Sequence, residues 1–255
     1  MSMVSHAETN RLIDTPATIS KLLDSLEGLP TTPPSLYIDL EGENISIHGP
    51  ISILQLHVLP SNQTYLLDVK LLGHDAFTTP GTGGRTLRQL LESEHIPKVI
   101  FDVRNDSAAL YKQYQVSLAG MHDLQLMELG KRNLGGKRFV NGLGKCIEYD
   151  AGLTLFEKAA WKSSKEIGFN LFAPERGGSY AVFNERPLRK EVEEYCIQDA
   201  VYLPRLWSKY NEMLTPAWKD RVLEATKARL VMSQDMTYVG NGPNRANGPD
   251  DWRWL

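Results

Sequence analysis

Two short segments, far apart in the chain, place polar side chains within apolar patterns. In residues 36–42 apolar residues alternate with Tyr37, Asp39 and Glu41, which is the two-residue period of a β-strand. Successive side chains of a strand point to opposite faces, so Asp39 and Glu41 are predicted to lie side by side. Two such carboxylates repel each other, and burial increases that cost. A divalent cation would stabilise the pair, because Mg²⁺ binds carboxylate oxygens.

The second segment lies in a stretch with helical periodicity, from about residue 187 to residue 214. Asp199 falls on the apolar stripe between Tyr195 and Leu203, whereas most neighbouring charged side chains lie off it. A carboxylate that faces the core needs a partner, and the strand pair is a candidate to share a metal ion with it. Because Tyr195 precedes Asp199 by four residues, both side chains are predicted on one helix face.

The remaining pattern predicts an α/β protein, with a mixed central sheet of about five strands flanked by helices. Further strands are predicted at residues 51–58 and 64–69, and the apolar run 98–103 is typical of a central strand covered on both faces. Residues 118–123 are predicted to be extended, and residues 165–186 irregular. Helices are predicted at residues 16–26, 86–93, 105–114, 124–130, 142–151, 154–163, 187–214 with a kink at Pro204, and 216–236.

Composition narrows the class of protein. The 255 residues are 42% hydrophobic and 23% charged, which is ordinary for a globular protein. No apolar run approaches the length of a membrane-spanning helix, and residues 1–11 lack the apolar core of a signal peptide. Two cysteines are too few for a framework of disulfide bonds. We therefore expect an intracellular protein, nuclear or cytoplasmic. The net charge is −3, whereas proteins that bind nucleic acid only by neutralising its phosphates are usually basic. Either the partner is not nucleic acid, or the positive charge is local and a metal ion supplies much of it.

The acidic residues occur in an order that resembles the DEDD superfamily of 3′–5′ exonucleases. The first motif is Asp39-Leu-Glu41, and the third is Tyr195-x-x-x-Asp199. The second is the apolar strand that leads to Asp106 at a predicted helix start, with Asp102 as the alternative acid. Position 194 is Glu, where the histidine branch of the superfamily has its histidine, so the resemblance is to the tyrosine branch. Over about residues 13–214 the chain looks like ribonuclease D-like domains, and most like fungal-type 3′–5′ exonuclease domain proteins.

This resemblance implies a ribonuclease H-like three-layer fold in one domain, residues 13–236, between a flexible N-terminus (1–12) and a C-terminal tail (237–255). It implies a metal-dependent 3′–5′ exonuclease that uses two Mg²⁺ or Mn²⁺ ions and releases nucleoside 5′-monophosphates from the single-stranded 3′ end of RNA or DNA. No membrane partner is implied. The implied roles are one ion on Asp39, Glu41 and Asp199, a second on Asp39 and Asp106, and orientation of the attacking water by Tyr195.

Other interpretations stay open at this stage. Asp39 and Glu41 could form a solvated strand face, and Asp199 could pair with Lys190 or Arg205 on a helix surface. The same fold could be a catalytically silent module that binds RNA or a protein, or it could hydrolyse small nucleotides. Asp123 is predicted to cap a helix, and Trp252 and Trp254 to cover the core. Four basic loop residues could line a nucleic-acid groove: Lys131, Arg132, Arg176 and Arg186.

Overall fold

The computed structural model of the chain describes residues 11–43, 45, 49–133 and 136–253, and these form six β-strands and eleven α-helices. The strands are β1 (Leu12–Ile13), β2 (Leu36–Gly42), β3 (Ile51–Val58), β4 (Gln63–Leu67), β5 (Lys98–Ile100) and β6 (Met121–Asp123). The helices are α1 (Pro16–Ser25), α2 (Val69–Leu72), α3 (Asp75–Thr78), α4 (Leu87–Leu91), α5 (Val103–Tyr114), α6 (Leu124–Gly130), α7 (Leu143–Asp150), α8 (Leu155–Phe172), α9 (Lys190–Val201), α10 (Leu203–Met213) and α11 (Pro216–Gln234).

The strands form one mixed sheet in the order β1-β4-β3-β2-β5-β6. β3 pairs antiparallel with both β2 and β4, whereas the other three pairings are parallel. The predicted α/β class is confirmed, with one strand more than expected. That strand is β1, which begins within the predicted flexible N-terminus. Residues 1–10 of the predicted flexible N-terminus lie outside the described residues.

The two faces of β2 meet different surroundings, as its alternation predicted. Leu36, Ile38 and Leu40 point into an apolar core shared with α1, α4 and α5. Tyr37 points to the opposite face, into a second core formed mainly with α6, α7 and α10. Asp39 and Glu41 share the face of Tyr37. The sheet is therefore a middle layer between helices, and β2 lies near its centre with β3 and β5 beside it.

Helix α8 corrects the sequence-based boundaries. We predicted a helix at 154–163 and an irregular segment at 165–186, whereas α8 continues without interruption to Phe172. Trp161, Gly168 and Phe172 lie on one buried face of this helix, and that packing extends it beyond the predicted end. The proline and glycines of the following segment interrupt the chain only after the helix has ended.

Two further differences from the predicted helical boundaries lie next to predicted site residues. The kinked helix predicted at 187–214 is two helices, α9 and α10, and Pro204 lies in the first turn of α10, where its missing N–H costs no hydrogen bond. Helix α5 begins at Val103, two residues before the predicted start. Its first turn is held by Asp123, whose carboxylate accepts hydrogen bonds from the N–H groups of Asp102 (3.0 Å) and Val103 (3.3 Å).

The C-terminal part covers the second core. Helix α11 packs on α5, α6 and β6. The segment after it places Trp252 in the core, 2% exposed, with its ring centroid 5.0 Å from that of Trp218. Trp254, the other tryptophan predicted to cover the core, lies outside the described residues. Among the helices described here, none combines the length and apolar character needed to cross a membrane.

Candidate active site

The first motif lies in the middle of the sheet. Asp39 and Glu41 of β2 stand opposite Gln55 and Ile53 of β3, so all four side chains share one face. Helix α9 packs across this face, where it contacts β2, β3 and β4. The two carboxylates therefore lie between the sheet and a helix rather than on a solvated strand face.

Helix α9 brings the third motif to the same place. Asp199 is 3% exposed and faces β2. One carboxylate oxygen each from Asp39, Glu41 and Asp199 lie within 4.8 Å of one another. Neither Lys190 nor Arg205 pairs with Asp199: Lys190 pairs with Glu194, and Arg205 pairs with Glu157. Acids separated by about 160 residues thus converge in space, as the metal-sharing prediction requires.

The second-motif acid lies beside this group but not in it. Asp106 is in the first turn of α5, and it is buried. It is not one of the three acids that lie within 4.8 Å of one another, yet its charge raises the pKa values of Asp39 and Glu41. Burial, together with the charge of Asp102, raises the pKa of Asp106 itself to about 7.

Asp102, the alternative second-motif acid, is held by arginines. Arg104 pairs with its carboxylate at 2.6 Å, Arg245 at 3.3 Å and Arg229 at 3.5 Å. Although burial opposes the change, the hydrogen bond from Arg104 and the charges of these arginines lower the pKa of Asp102. A carboxylate neutralised by three cations is poorly suited to bind another, so this arrangement favours Asp106.

Burial and mutual repulsion both raise the pKa values of the two strand acids, and burial is the larger cause. Burial raises the pKa of Asp39 well above its usual range, and the charges of Glu41, Asp106 and Asp199 raise it further. Burial and the charge of Asp199 likewise raise the pKa of Glu41. Carboxylates at such distances hold negative charge only at a cost, unless a cation lies among them.

Among the residues that the structure describes, one cationic side chain bonds to this cluster. The Nζ of Lys165, on α8, donates a hydrogen bond to Oδ1 of Asp199, and its charge lowers the pKa values of Asp39 and Glu41. Lys165 is not among the predicted site residues, because residue 165 falls in a segment that was predicted to be irregular. A helical assignment would have put Lys165 one turn from Gly168, which also faces α9.

Tyr195 is half-buried and lies against this lysine, Phe172 and Gly168. Lys165 Nζ is 3.8 Å from the centroid of the tyrosine ring, Phe172 packs edge-on at 5.0 Å, and Gly168 lies directly beneath the ring. Burial, with the charges of Asp199 and Glu41, raises the pKa of the Tyr195 hydroxyl. The phenol therefore stays protonated and is a hydrogen-bond donor rather than a base.

The donor set of the cluster fits a hard divalent cation. Such ions prefer carboxylate oxygens, and three of these converge here without histidine or cysteine. The buried side chain of Gln55, opposite Asp39 in the sheet, has no hydrogen-bond partner for either amide atom among the described residues. A buried amide without partners is costly, so this position also suits a hydrated ion or its water. Asp39, Glu41 and Asp199 would hold the metal, with Asp106 nearby.

The four basic loop residues predicted for a groove all have partners within the chain. Lys131 pairs with Asp150 at 2.8 Å, and the other three also form ion pairs with acidic residues. Those pairs are Arg132 with Glu128, Arg176 with Glu166, and Arg186 with Asp68. Their role in binding nucleic acid stays a prediction. Asp123 caps α6 by accepting a hydrogen bond from Gln125 N–H at 2.9 Å, as predicted.

Comparisons with known proteins place this geometry in a family. Residues 10–215 match the model of a family described as 3′–5′ exonuclease. One similar solved structure is the complex of Trypanosoma brucei RNase D with GMP, with a TM-score of 0.74 and 23% identity, covering 95% of this chain and 70% of that one. Another is the complex of the same enzyme with RNA U12, with a TM-score of 0.72 and 22% identity, covering 95% of this chain and 77% of that one. Escherichia coli RNase D, an exoribonuclease involved in structured RNA processing, is also similar, with a TM-score of 0.59 and 17% identity, covering 89% of this chain and 51% of that one.

A search of curated protein sequences found no match. The family model nevertheless spans 206 of the 255 residues, from 10 to 215, and the matched region includes both segments that form the acidic cluster. The sheet order and the flanking helices agree with the ribonuclease H-like fold of the RNase D structures. This chain belongs to the 3′–5′ exonuclease family, whose members are hydrolases that act on nucleic acid.

Proposed function

We propose that this exonuclease depends on two divalent metal ions and removes nucleotides one at a time from the 3′ end, releasing nucleoside 5′-monophosphates. The observation that supports the proposal is the convergence of Asp39, Glu41 and Asp199 within 4.8 Å. Ions bound at such a cluster stabilise charge on a scissile phosphate and lower the pKa of water. The side chains of the chain would position these ions and the attacking water.

Each side chain has a distinct part in this proposal. Asp39, Glu41 and Asp199 would hold one ion, and Asp39 with the neighbouring Asp106 would support the second. The protonated hydroxyl of Tyr195 donates a hydrogen bond that orients the attacking water. Its raised pKa supports a donor role over a basic one. The two strand carboxylates and the helix carboxylate approach from different elements, so the ions would be fixed relative to the sheet.

We propose a single strand of RNA as the substrate. RNase D from Trypanosoma brucei has been solved with RNA and with GMP, and RNase D from Escherichia coli is an exoribonuclease. Because identities of 17–23% indicate a shared fold only, these structures motivate the choice of substrate and the assay must decide it. Matched RNA and DNA oligonucleotides of the same sequence and of graded length separate RNA, DNA and short-nucleotide preferences.

The test compares Asp39→Asn with a control variant in which an exposed acid on α9 is replaced by its amide. Glu191 is exposed and lies on the same helix as Asp199, so Glu191→Gln controls for removal of one negative charge. With a 5′-labelled oligonucleotide and Mg²⁺ or Mn²⁺, we expect wild type and Glu191→Gln to give a ladder of 3′-shortened products and free 5′-monophosphates. Asp39→Asn should lose more than about 100-fold in rate, because even outer-shell metal partners are worth 10–100-fold.

Chelation with EDTA should abolish release by the wild type. If the purified wild type released no nucleotide from RNA or DNA with either metal, yet bound the strand, it would be a silent binding module and the proposed catalysis would be wrong. Products shortened from the 5′ end, or activity undiminished in Asp39→Asn, would equally refute it. Unchanged thermal unfolding of Asp39→Asn shows that a loss of rate is not a loss of fold.

A further inference from the structure

Lys165 holds a position that the proposed metal ions also require. Its Nζ bonds to Oδ1 of Asp199, and Asp199 is one of the three acids whose oxygens converge. The lysine side chain is 23% exposed, whereas that of Asp199 is 5% exposed. The ammonium thus reaches from the edge of the site into an acidic cluster in which Asp199 is buried and Asp39 and Glu41 are half-buried.

An ammonium and a divalent ion compete for the same carboxylate. Oδ1 of Asp199 is occupied by Lys165, and two cations a few ångströms apart in a buried site repel each other. Metal loading must therefore weaken or break the pairing of Lys165 with Asp199. The long lysine stem and its partial exposure allow the ammonium to move without a backbone change.

A released ammonium has an obvious new partner in the proposed reaction. In the proposed reaction, ions bound to the carboxylates would hold the scissile phosphate close to them and beside Tyr195. Lys165 Nζ already lies 3.8 Å from the centroid of that tyrosine ring. Lysine is a common phosphate-binding residue because its compact charge has three donors and adapts to position.

Resting on the proposed function, we propose that Lys165 exchanges partners: it pairs with Asp199 in the metal-free site and contacts the scissile phosphate once divalent ions hold the carboxylates. Two consequences of opposite sign follow. Removing the ammonium should strengthen metal binding, because the competing cation is lost. It should also slow cleavage at saturating metal, because the contact to the phosphate is lost.

The experiment measures both consequences in the full chain. Titration calorimetry with Mn²⁺ in the absence of nucleic acid should show about tenfold tighter binding for Lys165→Met, since a hydrogen bond to a charged group is worth about that factor. At saturating Mn²⁺, the kcat of the same variant should fall at least tenfold, by analogy with other donors to transition-state charge. Unchanged or weaker Mn²⁺ binding, or a kcat within twofold of wild type, would overturn the proposal.

Lys162→Met is the matched control. Lys162 precedes Lys165 by three residues on α8, is 53% exposed, and pairs with Glu148 at 2.7 Å, away from the acidic cluster. Its replacement should leave both the Mn²⁺ affinity and the kcat within about twofold of wild type. An equal effect of the two variants would mean that general surface charge, not the partner exchange of Lys165, is responsible, and the proposal would fail.

A measurement on the wild type keeps the test independent of variant folding. Reductive methylation followed by peptide mass spectrometry should label Lys165 faster after Mn²⁺ is added, while labelling of Lys162 stays constant. Labelling of Lys165 that did not increase with Mn²⁺ would contradict release of the ammonium. Absence of metal-dependent cleavage by wild type would instead refute the proposed function, whereas active wild type with unaltered Lys165→Met would refute only the partner exchange.

Discussion

Replacing Gly168 with alanine would put a methyl group where the Tyr195 ring now lies. A Cβ at this position of α8 would be 2.8 Å from Cγ and 2.9 Å from Cβ of Tyr195, and nearer still to Cδ2. Carbon atoms separate to about 3.5–4.0 Å at optimal contact, so the two helices or the ring must move by roughly an ångström. The absence of a side chain at Gly168 is therefore what lets α9 seat Tyr195 against α8.

The expected effect on stability is small, and the expected effect on catalysis is large. Overpacking costs about 1–3 kcal/mol, but alanine recovers about 1 kcal/mol of helix propensity over glycine, so the net loss is about 0–2 kcal/mol. A displacement of about 1 Å at a catalytic group can cost about 100-fold in rate. We therefore expect Gly168→Ala to fold, to unfold a few degrees lower, and to lose about 100-fold in kcat.

Gly144 of α7 supplies the matched control. A Cβ there would meet nothing nearer than Trp161 Cη2, at 3.9 Å, which is an ordinary van der Waals contact. Gly144→Ala should keep wild-type activity and stay as stable or gain slightly from helix propensity. Thermal unfolding and nucleotide release from a 5′-labelled oligonucleotide, measured on both variants, separate packing at Tyr195 from a general effect of alanine in a helix.

A double-mutant cycle tests whether the loss acts through Tyr195. In the Tyr195→Ala background the ring is absent, so adding Gly168→Ala should cost little further activity. The coupling energy should be comparable to the whole effect of the single Gly168→Ala change. Full activity of Gly168→Ala, or an equal loss in both backgrounds, would refute the argument that Gly168 positions the tyrosine.

Two further predictions concern buried charges outside the acidic cluster. Burial lowers the pKa of Lys98 to about 7, so above that pH the unfolded chain binds more protons than the folded one. In urea unfolding between pH 7 and 10.5, the stability of wild type relative to Lys98→Met should therefore rise with pH, by at most about 1.4 kcal/mol per pH unit. A difference in stability that did not change with pH would contradict this. Arg186→Met leaves the fully buried Asp68 without its ion-pair partner and should cost about 3–5 kcal/mol of stability in urea unfolding. Arg176→Met, which breaks an exposed pair with Glu166, should cost less than about 1 kcal/mol in the same measurement, and equal losses would contradict this.

Local patterns were sufficient to predict the elements that hold the acidic residues. The alternation in residues 36–42 predicted which side chains of β2 face the apolar core, and the stripe around Asp199 predicted a carboxylate turned inward. Both predictions depend only on neighbours within one turn or one strand, which the sequence displays directly. The α/β class followed for the same reason, from strands concentrated early in the chain and helices concentrated late.

The choice between the two second-motif acids depends on distant partners. Asp102 and Asp106 are four residues apart, and the sequence favoured Asp106 only by its predicted place at a helix start, with Asp102 as the alternative. What distinguishes them is a set of arginines contributed in part by α11 and the C-terminal segment, more than 120 residues away. No local pattern indicates which of two nearby acids will be neutralised by such remote cations.

Lys165 shows how one boundary error concealed a residue that contacts the acidic cluster. The helix formers of residues 155–172 were cut short at 163 because Pro174, Gly177 and Gly178 suggested an earlier irregular segment. Once α8 is extended to Phe172, its helical period puts Lys165 and Gly168 on the side that meets α9, where one neutralises Asp199 and the other accommodates Tyr195. Two helices therefore define the environment of the third motif, and variants at Lys165 and Gly168 should alter the reaction although neither belongs to the acidic motifs.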